Sequence, residues 1–161
     1  MATCNFTTSE VGKEHAVSKD MVIETEELGF VTTAKEFREY KKFVKKWIKK
    51  FRLESWNLFF KHSDFSDNPD QNLTFVVYDF ASSTAAFLLS EHWKVPYTSE
   101  LADMCAFHEC LHLVFAGLME FLDELPEEVV NVANKFEHQI IGCLESAVFG
   151  KNSRFYKYSS N

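Results

Sequence analysis

The sequence lacks an unbroken apolar stretch of the roughly 20 residues that a helix needs to cross a bilayer. Its first residues, MATCNFTTSEVGKEHAVSKD, also lack the basic start and the apolar segment of a secretory signal peptide. We therefore expect a cytoplasmic protein with no membrane partner.

Positive charge is scarce as well. Lys and Arg number 17 against 24 Asp and Glu, which gives a formal net charge of −7. Contacts with phosphate groups need a surplus of Lys and Arg, so this balance argues against a nucleic-acid partner. The four cysteines form no CxxC pair. Three of them, Cys105, Cys110 and Cys143, fall in predicted helices, where a reduced thiol behaves as a small apolar group.

The chain does have ample material for one apolar core. Its 161 residues are 46% hydrophobic and include 17 Phe, which suits a single domain of ordinary size. Residues 1–30 are polar and aperiodic, so we expect a flexible N-terminal segment there. Residues 31–161 are predicted to form the domain, and the oligomeric state stays open.

The spacing at which apolar residues recur changes along the chain, and the order of these changes predicts an α+β fold. Apolar residues recur with helical spacing in one N-terminal segment, alternate with strand spacing in the middle and return to helical spacing in the C-terminal half. The first two strands are expected to pair with each other as antiparallel neighbours in a small, mostly antiparallel sheet. Ser99 is the expected N-cap of the second helix, and Gly150 is expected to end the third. The predicted elements are a helix over 35–52, strands over 55–63, 72–80 and 82–93, and helices over 99–122 and 126–149.

The helix predicted over 99–122 carries the run His108-Glu109-Cys110-Leu111-His112. The two histidines replace successive positions of an apolar stripe and project from one face, about one turn apart. Two neutral imidazoles at this spacing can reach the same metal ion. Glu109 lies about 100° round the helix, outside the ligand face but close enough to act on activated water. The alternative is a pair of core histidines, each with its own buried hydrogen-bond partner.

A metal site needs at least one more protein ligand, and the last helix offers two candidates. Glu137 lies within the predicted apolar stripe of that helix, and burying an acid is costly unless it is paired or ligated. We therefore predict Glu137 as the third ligand. His138 lies off the predicted stripe and is the alternative, because a site of three histidines is equally sound chemistry.

The HExxH run with a downstream Glu resembles the zincin metallopeptidases of the gluzincin type, in which the two His bind zinc and the Glu is the general base. Phe115 and Leu118 stand where the metzincin continuation would require Gly and His. The order of elements, with EHQIIGCLE beginning at Glu137, is similar to SprT-like domains and to small metallopeptidases of bacteriophages. No cysteine follows Cys143, so the zinc ribbon of SprT proteins has no counterpart.

The resemblance implies a zincin-like minimal core that binds one catalytic Zn²⁺ through His108, His112 and Glu137. It further implies a hydrolase that cleaves a peptide or protein substrate, with Glu109 as the general base. We expect the substrate to lie along an exposed edge of the third strand, and a phage origin would place the protein in the host cytoplasm. A non-catalytic, zinc-stabilised protein-binding module is the alternative function, and a metal-free interaction protein is a third. The candidates for stabilising an oxyanion are His62, His92, Tyr97, Tyr156 and Tyr158.

Overall fold

A computed structural model describes residues 29–64, 73–122 and 124–150. Within these ranges the chain forms three helices and two small sheets, which confirms the α+β class. Most of the predicted flexible segment lies outside the described residues, although Phe30 belongs to a strand. The elements are β1 (Phe30–Val31), α1 (Ala34–Lys50), β2 (Asn57–Ser63), β3 (Thr74–Asp79), β4 (Thr84–Ser90), β5 (His92–Trp93), α2 (Ser99–Leu122) and α3 (Glu127–Phe149).

Helix α1 begins and ends where its sequence indicates. The Thr33 hydroxyl accepts from the Glu36 backbone N–H while the Glu36 carboxylate accepts from the Thr33 backbone N–H, a reciprocal capping arrangement. The helix ends at Lys50, and Arg52 shortly beyond it has a φ of 59°. Its apolar residues bury one face against α2, while its many lysines cover the opposite face.

The pairing predicted for the first two strands is wrong. The three-stranded sheet has the order β2-β4-β3, so the third strand lies between the other two. Strand β4 pairs parallel with β2 and antiparallel with β3. Its apolar run TAAFLLS explains this position, because a central strand is buried on both faces whereas the edge strands β2 and β3 alternate. The third strand is thus paired on both sides and cannot receive a substrate, and among the described residues β2 and β3 are the edge strands.

Helix α2 is the central element of the fold. It packs on α1, on β3 and on α3, and it is buried around much of its circumference rather than along one stripe. Ser99 is not its N-cap: the Thr98 hydroxyl accepts from the Leu101 backbone N–H and caps the helix instead. By length and composition α2 could cross a membrane, with a mean hydropathy of 1.4, and half of that stretch is buried within the protein. A helix packed inside a folded domain meets the same criterion.

Helix α3 has the predicted bounds but buries a different face. It starts after Pro126 and ends before Gly150, whose φ of 84° is the left-handed conformation that favours glycine. The residues that it buries are Glu137, Ile141, Gly142 and Glu145. The apolar residues of this helix predict a buried stripe of Val130, Ala133, Ile140, Ile141, Leu144 and Val148. This prediction is partly wrong, because Ile140, Leu144 and Val148 are exposed.

A polar contact fixes α1 against α2. The Asp103 carboxylate on α2 accepts hydrogen bonds from the Lys46 ammonium group and from the Trp47 indole N–H at 2.7 Å, both on α1. The Trp47 ring also packs against Phe107, one residue before the first histidine, with ring centroids 4.8 Å apart. The position of the histidine pair is therefore coupled to the packing of α1.

Replacing Asp103 with Ala should lower the free energy of unfolding by about 1–3 kcal/mol, because it removes a charged acceptor from two partly buried donors. Asp103→Asn is the matched control, since its amide oxygen still accepts from the Trp47 indole and the loss should be smaller. Urea denaturation measures both. An Ala variant within about 0.5 kcal/mol of the native protein would contradict this role for the carboxylate.

Candidate metal centre

Three imidazoles meet where α2 packs on α3. His108 and His112 project from α2, as their spacing predicts, and His138 reaches them from α3. One ring nitrogen from each lies within 4.8 Å of the other two. The ring centroid of His112 lies 4.9 Å from that of His108 and 5.1 Å from that of His138. This group can hold one metal ion.

Each of these rings directs its Nδ1 atom to an oxygen that can only accept. The Nδ1–H of His108 donates to Glu145 Oε1 at 2.8 Å, and that of His112 donates to Glu137 Oε1 at 2.9 Å. The Nδ1–H of His138 donates to the backbone carbonyl of Asn134 at 2.8 Å. These bonds assign the proton of each neutral ring to Nδ1, so that Nε2 carries the lone pair that binds a metal.

The donor set is one that a divalent transition-metal ion such as zinc can use. Three neutral imidazoles leave a fourth tetrahedral position open, and carboxylates behind metal-binding histidines fix their tautomer and orientation. Tetrahedral zinc with Zn–N bonds of about 2.0–2.1 Å needs its ligand atoms about 3.4 Å apart. The cluster therefore has to contract slightly, and His138, whose side chain is 57% exposed, has the freedom to move.

Glu137 lies behind His112 and is not a member of the three-nitrogen group. Its carboxylate is buried, as the sequence predicts. The hydrogen bond that it accepts from the His112 imidazole offsets the cost of burying it. The geometry thus brings His138, the alternative from the sequence, into the group that could hold a metal ion, whereas Glu137 accepts a hydrogen bond from one member of that group.

Glu145 also contacts the histidine group, and the sequence reasoning missed it. It is 2% exposed and anchors His108 as Glu137 anchors His112. A signal was present, since Glu137, Ile141 and Glu145 recur at intervals of four residues and share one face of α3. The second acid on that face calls for a buried partner just as the first one does.

The electrostatic environment of His108 favours positive charge. Burial of the ring opposes protonation, but the hydrogen bond to Glu145 and the nearby charges of Glu109, Glu145 and Glu137 outweigh it. They raise the pKa of His108 above its ordinary value of 6.5. A site that stabilises an imidazolium is also favourable for a bound cation, so a proton and a metal ion compete here.

Glu109 projects toward the interior. It is 6% exposed, and its Oε1 accepts from the Thr74 hydroxyl of edge strand β3 at 2.9 Å. Burial first, and then the charge of Glu109, raise the pKa of the Cys105 thiol and of the Tyr40 hydroxyl. The carboxylate is therefore buried against the core and anchored to the strand that borders α2.

The described candidates for oxyanion stabilisation make their contacts elsewhere. His62 bonds to the Thr32 hydroxyl, and the Tyr97 hydroxyl donates to a carboxylate oxygen of Glu39. His92 lies 3.9 Å from an Asp64 carboxylate oxygen. Tyr156 and Tyr158 lie outside the described residues.

No family model, curated protein or solved structure matches this chain. The resemblance to zincins therefore depends on the HExxH run, the downstream Glu and the order of elements in the sequence.

The ligand assignment predicts a ranking of variants. His108→Ala, His112→Ala and His138→Ala should each lose stoichiometric zinc, because each removes a coordinating nitrogen. Glu137→Ala should still bind zinc, about 10- to 100-fold more weakly, because it removes only the anchor of a ligand. Competitive chelator titration measures the affinities, with His92→Ala as a control outside the cluster. Loss of zinc in Glu137→Ala with retention in His138→Ala would restore the carboxylate as the third ligand.

Glu145→Gln should weaken zinc binding about 10- to 100-fold while the protein stays folded, because the amide can accept from His108 but lacks the charge. In the metal-free protein the pKa of His108, followed by NMR, should fall in the same variant. Glu128→Gln, on the exposed side of α3, is the matched control and should change neither quantity. Unchanged zinc affinity in Glu145→Gln would refute its anchoring role.

Proposed function

We propose that this protein is a zinc-dependent metallopeptidase with a zincin-like catalytic core. In this proposal His108, His112 and His138 hold one Zn²⁺, and Glu109 is the general base. Zinc in such a site supplies Lewis-acid activation of water and of the scissile carbonyl. The observation that carries the proposal is the meeting of an HExxH pair with a third imidazole, each with its Nδ1 proton held by an acceptor.

The positions of Glu109 and β3 support a peptide substrate. The Thr74 hydroxyl holds the Glu109 carboxylate beside β3, which is an edge strand of the sheet formed by the described residues. An extended peptide that adds to this edge gains main-chain hydrogen bonds and runs past the bordering helix α2. In this proposal the substrate lies along β3 instead of the third strand expected from the sequence, which is β4. Glu109 accepts a proton from the attacking water and passes it to the leaving amine.

A specific observation favours a second candidate, a zinc-stabilised protein-binding module. Glu109 is almost fully buried and already accepts a hydrogen bond from Thr74. A carboxylate held in this way also serves packing, by satisfying a buried hydroxyl between α2 and β3. In that case the metal would stabilise the folded state without turnover.

The Glu109→Gln variant separates the two functions. It should keep its zinc and its fold, since the amide oxygen can still accept from Thr74. If the protein is a peptidase, hydrolysis should fall by about 10²- to 10⁴-fold, because Gln cannot take up the proton. Mass spectrometry of an unstructured peptide mixture, after zinc contents are matched, provides the measurement.

Glu100→Gln, an exposed change at the start of the same helix, is the matched control and should cleave like the native protein. A chelator should abolish cleavage and added zinc should restore it. Equal cleavage by native and Glu109→Gln proteins would exclude Glu109 as the base. Absence of cleavage by native, zinc-loaded protein across a broad library would favour the binding module.

A further inference from the structure

An apolar groove lies between α2 and α3 next to the metal centre. It has a volume of about 190 Å³, and its buried floor includes Met119. The exposed side chains of Leu118, Phe136 and Ile140 form its sides. The full lining is Phe115, Leu118, Met119, Leu122, Ala133, Phe136, Glu137 and Ile140.

The groove adjoins the histidine group through one shared residue. Glu137 lines the groove and also accepts the hydrogen bond from His112. A side chain that enters the groove therefore belongs to a residue close to the histidines. The groove has room for one large aliphatic or aromatic side chain, whose burial would be favourable.

The opposite end of the groove is strongly acidic. Leu122 and Ala133 line it where α2 leads into α3, and the exposed acids on this stretch include Glu120, Glu124, Glu127 and Glu128. The sequence has no Lys or Arg between Val95 and Asn134. The negative charge at this end is thus not neutralised by basic side chains of the same stretch, and it attracts positively charged ligands.

We propose that this groove selects peptide substrates that carry a bulky apolar side chain beside the scissile bond and Lys or Arg further along. The apolar side chain fills the groove, and the basic residues lie against the acidic end. This inference rests on the proposed peptidase function, and it names the substrate class of that site. An acidic or a wholly neutral peptide lacks the second contact.

The helix geometry sets the expected spacing. His138 and Glu128 are ten residues apart on α3, which corresponds to about 15 Å at 1.5 Å per residue. An extended peptide covers this distance in about four or five residues. The preferred basic positions should therefore lie about four or five residues from the scissile bond.

Binding can be measured apart from cleavage with the zinc-loaded Glu109→Gln protein. The probes are three labelled synthetic peptides: one with a single Phe followed at that spacing by Arg residues, one with Glu in place of Arg, and one with Ala in place of Phe. Fluorescence anisotropy should show the first peptide binding about 10-fold or more tightly than either relative. Added salt should weaken the binding of this peptide.

Two matched pairs of variants locate the contacts. Ala133→Leu fills the groove and should weaken binding of the Phe peptide about 10-fold or more, whereas Ala147→Leu, an exposed change on the same helix, should not. The double variant Glu127→Gln with Glu128→Gln should lower the ratio of the affinities for the Arg and Glu peptides by about 2- to 10-fold. The control with equal charge change is Glu54→Gln with Glu100→Gln. Thermal unfolding verifies that each variant is folded.

The outcomes separate this inference from the function on which it rests. Equal binding of the three peptides, or binding that Ala133→Leu leaves unchanged, overturns the inference even if the native protein cleaves peptides. Groove-dependent binding without cleavage by native protein supports the groove as the peptide site and overturns the peptidase function. A dimer in sedimentation that Ala133→Leu dissociates overturns the inference too, because a second copy would then occupy the groove.

Discussion

The rest of the site depends on two hydrogen bonds between imidazoles of α2 and carboxylates of α3. His108 with Glu145 and His112 with Glu137 join the two helices, and α3 makes its main contacts with α2. A buried carboxylate without a partner is costly, so each Glu needs its His as much as each His needs its Glu. The same bonds orient both rings. The packing of α3 on α2 and the orientation of the histidines in the candidate metal site therefore depend on the same two contacts.

This constraint explains which parts of the site could be predicted from the sequence. The HExxH pair was predictable because spacing on one helix fixes relative direction, and Glu137 was predictable as a buried acid. The approach of His138 to the pair was not, because the apolar residues of α3 do not mark its buried face. The face that it buries is rotated by about 70° from that stripe, which moves His138 toward the interface and turns Ile140 outward. The sheet order failed for a related reason, since alternation identifies strands without identifying their neighbours.

The charges around His108 connect structure to pH and metal. Its raised pKa means that, in the metal-free protein, the imidazolium contributes stability at pH values below the ordinary 6.5. This contribution is lost as the pH rises through the raised pKa of the folded state. A metal ion bound here would replace the proton and supply positive charge to the same carboxylates at higher pH. The carboxylates, while ionised, therefore favour a cation at the site.

Helix α3 places acidic and apolar side chains on the opposite faces from those of an ordinary surface helix. It directs Glu137 and Glu145 inward and leaves Phe136, Ile140 and Leu144 exposed. Stability alone would favour the opposite arrangement, since burial of apolar surface is the main driving force of folding. Sequences depart from such local rules where function requires it. The inward acids accept hydrogen bonds from the histidines, and two of the outward apolar side chains, Phe136 and Ile140, form one wall of the groove. The buried acids and the exposed apolar side chains are both explained if α3 was selected to hold a metal on one face and a substrate side chain on the other.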